Sequence, residues 1–97
     1  MKDDTKAALL LFRDHGKHPG DFLYHVLTND LVEAIRAADN DNCADLREIV
    51  IWIHDHMPWQ AWSTEPKVKM WIRSGGLKKM EELFYAHTEK LSTHCTY

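Results

Sequence analysis

The chain predicts an all-α fold, a compact single domain of five or six short helices. Three observations carry that expectation. Apolar residues recur at helical spacing along most of the 97 positions. Gly and Pro together number only seven, too few for the turns of a β-sandwich. Short β-branched runs such as Ile49-Val50-Ile51 lie inside a helical period instead of alternating with polar residues. With 44% apolar and 28% charged residues, the composition is that of one globular domain.

Thr5 or Asp4 is placed to cap a first helix over Lys6 to His15, which carries Leu9, Leu10 and Phe12 and stops at Gly16. Gly16 to Gly20 reads as a loop, because Pro19 and the two glycines interrupt regular structure. Asp21 caps a short second helix from Phe22 to Leu27, with Phe22, Leu23, Val26 and Leu27 on one face. After a break at Asn29-Asp30, Leu31, Ala34, Ile35 and Ala38 mark a third helix. The run Asp39 to Asn42 ends it and offers the next cap, since these side chains bond backbone N–H groups. A fourth helix spans about Ala44 to Met57 with Leu46, Ile49, Val50, Ile53 and Met57 as its stripe.

Pro58 ends that helix, and Trp59 to Ser63 forms an aromatic loop. Thr64 caps a fifth helix in which Pro66 is tolerated in the first turn, and Gly75-Gly76 stops it. Val68, Trp71 and Ile72 face inward. A last helix, Leu77 to about Leu91, sets Leu77, Met80, Phe84, His87 and Leu91 at heptad-like spacing, a seam for pairing with a second copy. The expected core is Leu9, Phe12, Phe22, Leu23, Val26, Leu27, Leu31, Ile35, Leu46, Ile49, Val50, Ile53, Trp71, Ile72, Leu77 and Phe84.

A net charge of −3 argues against a protein that coats nucleic acid by bulk charge. Cys43 and Cys95 are expected as free thiols in a reducing cytosol, since two cysteines make no disulfide framework. The only apolar run near the N-terminus, Ala7 to Phe12, is short for a signal segment, and no stretch approaches the roughly 18 apolar residues of a membrane span. A soluble intracellular protein is expected, with no membrane contact.

No motif assembles a reaction centre, so the chain is expected not to be an enzyme and to use no cofactor or metal. His54 and His56 are two apart on a helix and point to different faces. His15 and His18 straddle a glycine turn without a second ligand pair at zinc-like spacing. The run Asp39 to Asp45 lacks both the glycine and the terminal glutamate of a calcium loop. Ser63, Ser74 and Ser92 lack a nucleophile elbow.

Charge and aromatic patterning point to surfaces instead. Asp30 to Asp55 holds seven acids against Arg36 and Arg47. Four tryptophans fall between Trp52 and Trp71, and Trp59 and Trp62 lie in the loop after Pro58. Trp59, Trp62, Asp39, Asp41, Asp45 and Glu48 are therefore the candidate protein-binding residues, Trp being a frequent interface anchor. The alternative is a nucleic-acid-binding regulator whose basic helix–GlyGly–helix segment, 64–84, uses Lys67, Lys69, Arg73, Lys78 and Lys79.

The string Pro-Gly-x-Phe-Leu-x-x-Val-Leu-x-Asn-Asp-Leu over Pro19 to Leu31, with Ala37-Ala38-Asp39, Asn42, Ile49-Val50, Trp62, Val68, Trp71-Ile72 and Gly75-Gly76, resembles a group of small uncharacterised phage and prophage proteins. The likeness covers about residues 16–76, leaving the helix of 77–91 as an addition. The chain departs from it at Trp62-Ser63-Thr64-Glu65-Pro66, where such proteins often read Trp-Gly-Ser-Pro-Glu. The resemblance implies phage accessory function, exercised by binding a host protein, including components of host defence, as an inhibitor or modulator.

Overall fold

A computed structural model describes residues 1–79 of the chain. Among the described residues there are six α-helices, one 3₁₀ turn and no strand. The fold class is therefore all-α, as the periodicity predicts. The helices are α1 (Asp3–His15), α2 (Asp21–Leu27), α3 (Leu31–Ala37), α4 (Asn40–Ala44), α5 (Leu46–His56) and α6 (Glu65–Ser74), with the 3₁₀ turn at Trp59–Ala61. Another helical run starts at 76 and continues through 79.

Local chemistry explains most of the boundaries. Asp39 caps α4 by accepting the Asn42 N–H at 2.7 Å, and Thr64 caps α6 by accepting the Lys67 N–H at 3.4 Å. Met57 is extended ahead of Pro58, the conformation proline imposes on its predecessor. Two expected caps fall elsewhere. The first helix starts at Asp3 rather than Lys6, and Thr5 lies inside it, buried, with its hydroxyl donating to Asn42 Oδ1 at 3.2 Å. Asp3 and Asp4 sit in that helix's first turn, where the helix dipole favours acids. Asp21 is likewise in the first turn of α2, and Gly20 holds the cap position. The helix expected over 44–57 is preceded by a separate five-residue α4, and the two meet at Asp45.

The core draws on every layer: Leu9 and Phe12 from α1, Phe22, Leu23 and Leu27 from α2, Ala34 from α3, Ile49 and Ile53 from α5, then Met57, Ala61, Val68 and Trp71. Val26, Leu46, Ile72 and Leu77 are half-buried and pack against it. Leu31, Ile35 and Val50, expected inside, are exposed. Ala34 is the residue that α3 buries, so its larger neighbours stay on the outer side. Phe84 lies outside the described residues.

A close backbone approach joins the C-terminal ends of α1 and α6. Gly16 stops α1 in the left-handed region at φ +68, with its N–H on the Phe12 carbonyl at 2.9 Å. Trp71, buried, donates its Nε1–H to the carbonyls of Phe12 at 3.0 Å and Arg13 at 3.1 Å. Those carbonyls belong to the last turn of α1, where backbone donors run out; that of Phe12 also accepts the Gly16 N–H. Gly76, at φ +80, lies so near that a Cβ there would stand 2.5 Å from the Gly16 nitrogen and 2.6 Å from that of His15. At its other end, α6 is tied through the Ser63 N–H, which donates to the Leu27 carbonyl at 2.7 Å.

Gly76→Ala should therefore destabilise the protein by about 3 kcal/mol, from a left-handed alanine plus a backbone clash that no side-chain rotation relieves. A urea melt reads this directly. A variant as stable as the parent would mean that the two helix ends do not touch.

Candidate functional site

The acidic residues proposed for partner contact are engaged by the start of the chain. The Met1 amino group reaches Glu48 at 2.8 Å and Asp45 at 3.7 Å. Lys2 Nζ reaches Asp39 at 2.9 Å and Asp41 at 3.6 Å. The hydrogen bond to Glu48 raises the pKa of the Met1 amine, and the bond to Asp39 raises that of Lys2. The Asp39 carboxyl is held below its ordinary value, first by the Asn42 N–H and then by Lys2. This cluster fastens α4 and the start of α5 to the N-terminus.

The two loop tryptophans separate. Trp59 is 67% exposed, with Lys67 Nζ 4.3 Å from the centre of its ring. The same ammonium donates to the Trp59 carbonyl at 3.5 Å and to Ser63 Oγ at 3.4 Å. Trp62 is half-buried against the core, edge-on to His54, and its buried Nε1 meets no acceptor among the described residues.

The basic segment is dispersed. Lys67 serves the aromatic loop, and Lys69 pairs with Glu65 at 2.9 Å, a bond that raises the Lys69 pKa. Lys69 and Arg73 border an open cleft with Ile72, His18 and Tyr24, the last two stacked at 5.1 Å. Lys78 and Lys79 are exposed. Of the seam proposed for self-pairing, Leu77 is half-buried against the core; Met80, Phe84 and Leu91 lie outside the described residues.

Of the histidines, His18 accepts the Gly20 N–H at 3.1 Å, and His56 stacks on Trp52 at 4.7 Å. Among the described residues no group of three or more His, Cys, Asp or Glu is arranged to hold a metal ion. Cys43 is an exposed free thiol, and Cys95 lies outside the described residues. No helix among the described residues is long and apolar enough to cross a membrane.

No family model, curated protein or solved structure matches the chain.

The feature that sequence reasoning missed is an apolar face on α3 and α5. Leu31 is 59% exposed, Val32 63%, Ile35 47% and Val50 42%. Leu31, Ala34, Leu46 and Val50 line one groove with Val26, Asn29, His25 and Asp30, whose volume is about 60 Å³. The two ionisable groups in it face each other, His25 Nδ1 and Asp30 Oδ2 being 3.7 Å apart. Ile35 follows Leu31 by one helical turn and extends the same side of α3. Ile51 is also exposed on α5. A signal for this face exists in the sequence. Five of the seven residues of α3 are apolar, and Ile49 to Ile53 is an unbroken apolar run in a helix. A helix apolar around most of its circumference needs more than one side covered.

Two outcomes are expected. Because the folded Asp39 pKa lies below its unfolded value, its contribution is present above the ordinary carboxylate range and is lost as pH falls through the folded pKa. Asp39→Ala should lower the melting temperature at pH 7, and the gap to the parent should narrow as the pH is taken below about 3.8. A gap that widens in acid would contradict the arrangement. Second, Trp62→Phe removes an unpaired donor and should cost under about 1 kcal/mol, whereas Trp71→Phe removes the donor shared by the Phe12 and Arg13 carbonyls together with part of a buried ring and should cost about 2–4 kcal/mol. Urea melts of the two variants check the order.

Proposed function

We propose that the protein is a non-enzymatic binding module, a phage accessory protein that acts in the bacterial cytoplasm by docking on a host protein, defence components included, as an inhibitor or modulator. One observation carries the binding reading: Leu31, Val32, Ile35 and Val50 are large apolar side chains left in solvent on α3 and α5, and Leu31 and Val50 line a shallow groove. A contiguous exposed apolar surface on a small domain marks an interaction site, because leaving it in water forfeits about 25 cal/mol for each Å² that a partner could cover. Trp59 adds a second exposed anchor of the kind that dominates interface energetics. The phage assignment rests on the Pro19–Leu31 string and its companions, and host targeting is the class expectation that goes with it. In this reading Asp39, Asp41, Asp45 and Glu48 shape the field near the surface, while the apolar groups supply the contact area.

Nucleic-acid binding through the segment 64–84 has less support. Lys67 is committed to Trp59 and Lys69 to Glu65, and the chain as a whole is negative. Phosphate binding by so few cations would be weak at physiological salt.

Val50→Asp places a charge in the groove at a position that is already exposed, so stability should change by no more than about 0.5 kcal/mol. Recovery of a specific host protein by the tagged full chain should fall about tenfold or more, the cost of a buried unpaired charge at an interface. Equal recovery by parent and variant would contradict the proposed surface. Duplex-DNA binding lost on Lys69→Ala and Arg73→Ala would favour the alternative.

A further inference from the structure

We infer that the cleft between α2 and α6 binds a small phosphate monoester that carries a planar ring, a ligand of mononucleotide size. The cleft shares no lining residue with the groove on α3 and α5, and the inference does not rest on the binding reading.

Charge is the first argument. The cleft is lined by His18 from the loop ahead of α2, Tyr24 from α2, and Lys69, Ile72 and Arg73 from α6. No carboxylate lines it, although the chain as a whole is acidic. Lys69 and Arg73 are four apart, so one face of α6 presents both. The Glu65 hydrogen bond raises the Lys69 pKa, and Arg73 pulls against that rise, as a like charge does close by. Arg73 has no ion-pair partner among the described residues. Lys69 and Glu65 are 2.9 Å apart but both more than half exposed, and a pair so placed contributes little and gives way to a stronger anion. A phosphate dianion answers both cations at once, where a carboxylate answers one, and guanidinium and ammonium are both phosphate-binding groups.

The other walls select what the phosphate is attached to. Two cations alone hold phosphate weakly at physiological salt, so the rest of the ligand must add contact. The His18 and Tyr24 rings stack 5.1 Å apart and 10° from parallel, and Ile72 is half-buried in the same lining. Flat rings beside an aliphatic side chain suit a planar ring, which gains by stacking and by leaving water. His18 Nδ1 accepts the Gly20 N–H at 3.1 Å, so in the neutral imidazole Nε2 carries the proton. That N–H and the Tyr24 hydroxyl make no hydrogen bond among the described residues, which leaves both for the polar edge of a heterocycle. The cleft holds about 430 Å³, in the lower part of the range of roughly 300–1,000 Å³ for small-molecule sites. Its volume and its two cations match one nucleotide, not a groove that tracks a strand.

The test titrates the full chain, by calorimetry at physiological salt, with AMP, adenosine, inorganic phosphate and adenosine 5′-carboxylate. AMP should bind with a Kd below about 1 mM, and each of the other three at least about tenfold more weakly. Lys69→Ala with Arg73→Ala, at two exposed positions, should weaken AMP at least about tenfold while the fold, read by circular dichroism, is unchanged. Glu65→Gln, which releases Lys69, should tighten it. Adenosine or phosphate binding as well as AMP would remove the charge or the ring from the account, and the carboxylate binding as well would remove the dianion; each overturns the inference. So does AMP binding that the double substitution leaves unmoved, or no AMP binding at about 10 mM. A single-stranded oligonucleotide held through Lys69 and Arg73 at least about tenfold more tightly than AMP would also overturn it, in favour of nucleic acid as the ligand.

Discussion

The meeting of two helix ends governs this structure. The last turn of α1 exposes carbonyls that its own backbone cannot satisfy. The Trp71 indole N–H is shared between the carbonyl of Arg13 and that of Phe12, which the Gly16 N–H also reaches, and it can approach them because Gly16 turns the chain away and Gly76 leaves room where any side chain would collide. One buried side chain thus seals the core with its ring and ends a helix with its nitrogen. The arrangement fixes α6 across α1, and the Ser63–Leu27 hydrogen bond fixes its other end at α2. Val68 and Trp71 are then held inward against Leu9, Phe12 and Leu27, and the central core is complete.

That completeness is what leaves α3 and α5 partly uncovered. Once α1, α2 and α6 have enclosed the core, α3 contributes the small Ala34, and α5 contributes Ile49 and Ile53. The remaining apolar side chains on these helices have no further layer to enter. Leu31 and Val50 both line a shallow groove, and Val32 and Ile35 are exposed on α3 as well. A seven-residue helix has little stability of its own. Its position comes from packing against α2 across the turn at 28–30 and from the cap and ion pairs that follow it at Asp39. The N-terminus therefore contributes to the placement of the apolar face, although it takes no direct part in the groove.

Much of this was legible in the residues. Gly16, Asp39, Pro58, Thr64 and Gly75 each mark a boundary through a conformation or a hydrogen bond that the residue type itself favours. The inward face of α1, α2 and α6 follows the helical period. What the period could not supply was the amount of cover available. Leu31, Ile35 and Val50 have the spacing of core residues, yet whether such a stripe is buried depends on a neighbouring layer that no local pattern encodes. Thr5 was legible as a cap by type, but its hydroxyl found Asn42, a partner 37 positions away. The acids from Asp39 to Glu48 looked like an open surface because nothing nearby in sequence answers them; Met1 and Lys2 do so only through the fold. Trp59 and Trp62 could not be told apart before the loop was placed.

The account stands on α6 being pinned to the end of α1 while the α3/α5 face is left outside. Hydrogen exchange of the four indole N–H groups, followed by NMR, tests it most directly. The Trp71 indole should exchange as slowly as the best-protected backbone amides of α1, and that of Trp59 should exchange at once. Trp71 exchanging as fast as Trp59 would show that the two helix ends are not joined, and the derivation of the exposed face would fall with them.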